Sequence, residues 1–117
     1  MDEEKVTTLF SLFVDEDGAA EDYAAVITIS MQEVTQQLLE DADETDARLC
    51  YLAAAVALLR YTEITAARDR AACTFAGTIA QNTDASQKLS FAQALVSGYR
   101  SLCRSLLEDE FFSFQAI

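Results

Sequence analysis

The sequence predicts an all-α fold: one domain over residues 1–117, a bundle of four helices, with a long loop or short hairpin before the last helix and an extended C-terminal tail over 110–117. Three observations lead there. Proline is absent and glycine occurs three times in 117 residues, so helix breakers are nearly missing. Hydrophobic residues make up 51% of the chain, enough for a sizeable core and too many for a disordered segment. Apolar residues then recur at helical rather than strand spacing over most of the length.

The first helix is expected from about Asp2 to Val14. Val6, Leu9, Phe10 and Phe13 fall at i, i+3, i+4 and i+7 on one face. Asp2, Glu3 and Glu4 in its first turn suit the helix dipole, and Gly18 after "DEDG" is a natural stop. The second helix is expected from about Ala20 to Leu39, with Tyr23, Val26, Ile27, Met31, Val34 and Leu38 as the buried stripe. The acidic loop "EDADETD" follows.

The third helix is expected from about Glu44 to Arg68, capped by Asp43 or Thr45. Its middle, "LCYLAAAVALL", is apolar all round, which places it at the centre with neighbours on several sides. From Asp69 to Thr83 the helical signal weakens. "CTFAGTIAQNT" nearly alternates Thr, Phe and Ile around a glycine, which reads as a loop with a short strand or hairpin. The fourth helix is expected from about Asp84 to Asp109, capped by Thr83 or Asp84. Leu89, Ala92, Leu95, Val96, Tyr99, Leu102, Cys103 and Leu106 form its core face, and the interior Gly98 suggests a close helix contact.

Charge is distributed unevenly. Residues 1–46 hold 14 acids and one base, for −13; residues 47–117 hold 6 acids and 7 bases, for +1; together they make the net −12 of the chain. The sequence pI is about 4.1. This balance argues against direct nucleic-acid binding, which needs clustered Lys and Arg, and against docking on an anionic membrane. "MDEEKV" lacks the basic start of a signal peptide, and the longest apolar run, Leu49 to Leu59, is 11 residues. The expectation is an intracellular, soluble protein. Cys50, Cys73 and Cys103 are odd in number and show no paired spacing, so no disulfide framework is expected.

Catalytic chemistry finds little material. Histidine is absent, which removes the commonest general base, the His-containing triads and His zinc sites. In "DEDG", Gly18 follows Asp15 by three positions rather than five, and position 24 is Ala where a calcium loop needs Glu. Glu40, Asp41, Asp43, Glu44 and Asp46 cluster, but in a loop without an apolar pocket to raise a pKa. Ser90, Ser97 and Ser101 lack a partner base, and no glycine-rich phosphate loop exists. No enzyme activity, metal or other cofactor is expected.

What remains works through surfaces. The chain ends in "EFFSFQAI", with Phe111, Phe112, Phe114 and Ile117 where chain ends are usually polar. Those side chains either fold back over the bundle or add to a partner, for instance by β-augmentation. The interrupted segment carries Arg68, Arg70, Phe75 and Ile79. The two arginines are either a solvated helix end or contacts to the acidic half of a neighbouring copy.

"RLCYLAAAVALLRY" (Arg48–Tyr61), "TFAGTIA" (Thr74–Ala80) and "LLEDEFFSFQAI" stand in an order that resembles small phage and prophage head–tail connector (neck or adaptor) proteins. The resemblance is compositional and spans most of residues 20–117. It implies a non-enzymatic subunit of a homo-oligomeric ring, made in the bacterial cytoplasm and built into the virion, with portal or tail proteins as partners. It also implies that the segment Arg70–Thr83 makes ring contacts and that the C-terminal segment reaches the portal or next tail component. The competing expectation, from the −13 of the first 46 residues, is an acidic DNA mimic or inhibitor that binds a basic protein surface.

Overall fold

The computed structural model describes residues 1–14, 18–76 and 79–108, with backbone only for 69–76 and 79–85. The fold is all-α. Its elements are α1 (Glu3–Val14), α2 (Ala19–Asp22), α3 (Ala24–Gln36), α4 (Ala47–Ala76), α5 (Ile79–Leu102) and a 3₁₀ turn over Arg104–Leu106. The molecule is elongated, 51 × 30 × 17 Å.

α4 is the central helix. It packs against α1, α3 and α5, and Leu49, Leu52, Ala53, Ala54, Ala55 and Ala57 along it are essentially inaccessible to water. The alanines present only methyl groups to the neighbouring helices, while Leu49, Leu52 and Val56 fill the core with Phe10, Ile27 and Val34. Ala47–Arg68 is also long and apolar enough to cross a membrane by length and composition, well beyond the 11-residue run. Half of its most apolar 18-residue window is buried inside the protein.

α1 contributes Val6 and Phe10 to the core, with Leu9 and Phe13 packed at its margin. Asp2 caps it: the Glu4 amide donates to Asp2 Oδ1 at 3.0 Å. Gly18 then takes φ +78°, the left-handed region where a Cβ would be strained, and α2 begins. The expected second helix is divided at Tyr23 (φ −113°, ψ 25°) into α2 and α3. It also ends at Gln36 rather than Leu39, because Leu38 leaves the helix to pair with Leu107 in an isolated antiparallel bridge.

Further boundaries differ from the sequence expectation. The fourth helix, expected to about Asp109, ends at Leu102, where the 3₁₀ turn and the extended Leu107 take over. The cap of α4 is Asp46, not Asp43 or Thr45: the Arg48 amide donates to Asp46 Oδ1 at 2.9 Å and the Leu49 amide to the Asp46 carbonyl at 3.0 Å. The loop or hairpin expected over Asp69–Thr83 is helical on both sides of the undescribed pair 77–78, since α4 runs to Ala76 and α5 starts at Ile79. Thr83 and Asp84 therefore lie inside α5 and cap nothing. The reason is energetic. Thr, Phe and Ile cost only about 0.5 kcal/mol each relative to Ala in a helix, and four alanines (71, 72, 76 and 80) support helix in the same stretch.

The core face of α5 is Ala92 and Val96, with Leu89, Leu95 and Tyr99 partly buried; beyond its end Cys103 is buried and Leu106 partly buried. Leu102 departs from the expectation: it is 58% exposed. Gly98 marks no close helix contact either, since a Cβ built there would meet nothing within 4 Å. Cys50 and Cys103 are buried free thiols. Two buried hydroxyls are satisfied locally: Ser30 Oγ donates to the Val26 carbonyl at 2.8 Å and Thr62 Oγ1 to the Leu58 carbonyl at 2.7 Å.

Candidate interaction surface

The C-terminal part of the described chain is fastened in two places. Leu107 is extended (φ −112°, ψ 152°) and its side chain is buried. Around it, the Leu39 amide donates to the Leu106 carbonyl and the Glu108 amide to the Gln37 carbonyl, both at 2.9 Å. Beside this bridge, Arg48 closes the end of α5. Its Nη1 donates to the Leu102 carbonyl at 3.1 Å while Nε and Nη2 grip Asp46 at 3.1 and 2.8 Å. An arginine at a helix C-terminus satisfies an otherwise unpaired carbonyl and meets the negative end of the dipole.

The electrostatics follow from this clasp. The Arg48 side chain, and then its amide, hold the Asp46 carboxyl at about 2, well below its ordinary 3.8. Asp46 in turn raises the Arg48 guanidinium. Burial pushes the Cys103 thiol up, with the charge of Arg48 working the other way, and Cys103 Sγ donates to the Arg48 carbonyl at 3.4 Å.

Among the described residues Arg100 is the buried cation, 4% exposed. Its Nη2 donates to Gln37 Oε1 and so ties α5 to the end of α3. Burial depresses the guanidinium, with Glu33 opposing. Arg60 links α4 to α3 by reaching Glu33 at 3.4 Å, and it also bonds Glu63 at 2.9 Å. Burial would lower its pKa, but the hydrogen bonds it donates to Glu63 and Glu33 and the two carboxylate charges outweigh that and raise it.

The sequence-predicted contact residues divide into three groups. Arg68 is exposed, and its Nη1 donates to the Tyr23 hydroxyl at 3.1 Å, so one arm is engaged within the chain. The Tyr23 ring stands edge-on to Tyr61 at 4.7 Å, and Tyr61 is edge-on to Phe10 at 5.8 Å. Arg70 and Phe75 lie on the α4 backbone and Ile79 opens α5; their side chains are outside the described residues. Phe111, Phe112, Phe114 and Ile117 also lie outside them, as does the expected tail as a whole.

One apolar surface was not anticipated. Phe91 is 77% exposed and Leu102 58%, and with Gly98 and the half-buried Leu95, which packs against the core, they fall at i, i+4, i+7 and i+11 along α5. This stripe runs one residue ahead of the core positions Ala92, Val96, Tyr99 and Cys103. In the sequence Phe91 falls at helical spacing with Leu95 and Leu102, so its exposure emerges only once the side of α5 that faces α4 is known. The acidic connection between α3 and α4 is the opposite kind of surface. Glu40, Asp41, Asp43 and Glu44 are exposed, and the Thr45 hydroxyl and amide bond Asp43 and lower its pKa. Among the described residues no group of three or more His, Cys, Asp or Glu side chains is placed to hold a metal ion.

Comparisons with protein-family models, curated proteins and solved structures return no match to this chain.

Proposed function

We propose that this chain is a non-enzymatic assembly protein of a phage or prophage particle, a head–tail connector that acts through protein–protein contacts in a ring. One observation carries the reading. The described core runs from Val6 to Leu107, before the sequence reaches the apolar Phe111, Phe112, Phe114 and Ile117. In this reading those four side chains serve a surface on another molecule, and burying each would contribute about 1.5–3 kcal/mol of association. Many weak contacts in a ring add up through avidity. The uneven charge supports different faces meeting head to tail, as heterologous ring contacts require.

The test is an affinity capture of N-terminally tagged protein from its source cells under phage-inducing conditions, read by mass spectrometry. Portal or tail proteins recovered with the wild type, and lost when Phe111, Phe112 and Phe114 are changed to Ser, support the reading. Capture of a nucleic-acid enzyme or repressor with a basic cleft overturns it. That second outcome would promote the acidic mimic, which the exposed Glu40, Asp41, Asp43 and Glu44 favour.

A further inference from the structure

We draw no further inference here: the strongest candidate, the apolar patch that Phe91 and Leu102 expose on α5, carries nothing, because nothing in the structure shows what covers it.

Discussion

Arg48 Nη1 donates to the Leu102 carbonyl at 3.1 Å, so the first turn of α4 closes the last turn of α5. Asp46 holds the guanidinium in place from the other side. Its carboxyl pKa is depressed from 3.8 to about 2, so the stability it contributes is fully present above pH 3.8 and is lost as pH falls toward 2. Thermal melts of the wild type should decline across that window. Asp46→Asn should start lower at neutral pH and show a flatter decline there. Arg48→Ala should have the same flattening and a further loss from the uncapped α5.

Phe10 is fully buried on α1 and edge-on to Tyr61. Phe10→Ala should cost about 3–5 kcal/mol by removing apolar contact and leaving a cavity. Leu12→Ala on the same helix is exposed and should stay within about 0.5 kcal/mol. Urea unfolding monitored by circular dichroism distinguishes the two.

Gln37 accepts from the buried Arg100. Gln37→Ala removes an acceptor from a buried charge, and its expected cost is about 1.5–3 kcal/mol. The same change in an Arg100→Met background should cost much less. A double-mutant cycle in urea measures the coupling, and additive costs would show that the pair contributes nothing jointly.

Gly98 sits inside α5 with open space where a Cβ would go. Gly98→Ala should raise the melting temperature, by the equivalent of about 0.5–1 kcal/mol of helix propensity. A destabilised Gly98→Ala protein would show that the glycine is kept for close packing.

Deleting Phe111–Ile117 should leave helical content and melting temperature nearly unchanged, because the described core closes at Leu107. Recovery of assembly partners should be lost. A large fall in melting temperature would instead assign the segment to the core of the monomer.

Much of the fold was legible because periodicity and composition report burial directly. The stripe Val6, Leu9, Phe10 and Phe13 and the all-apolar middle of α4 both lie where the pattern places them. Boundaries were less legible, since they depend on partners distant in sequence. Leu38 satisfies helical spacing yet pairs with Leu107, and nothing near residue 38 encodes that. The segment Asp69–Thr83 misled for another reason: near-alternation of Thr, Phe and Ile is a weak β signal, and two long helices packing on each other outweigh it. The candidate surface was half visible. The Phe-rich end is plain in the sequence, but the α5 stripe requires knowing which side of α5 faces α4. Leu102 shows the difficulty, as its spacing is compatible with the core and its side chain faces solvent.

The two buried thiols mark two different joints. Cys50 Sγ lies 4.0 Å from the Asp2 carbonyl, where the start of α1 meets α4, and Cys103 Sγ bonds the Arg48 carbonyl, where the end of α5 meets α4. An alkylating reagent reaches the first only when α1 lifts and the second only when α5 does. With Cys73 replaced by Ser, the rates of labelling at the two positions become separate clocks for opening at either side of the central helix. Equal rates would mean that the bundle opens as one cooperative unit; unequal rates would name the helix that leaves first.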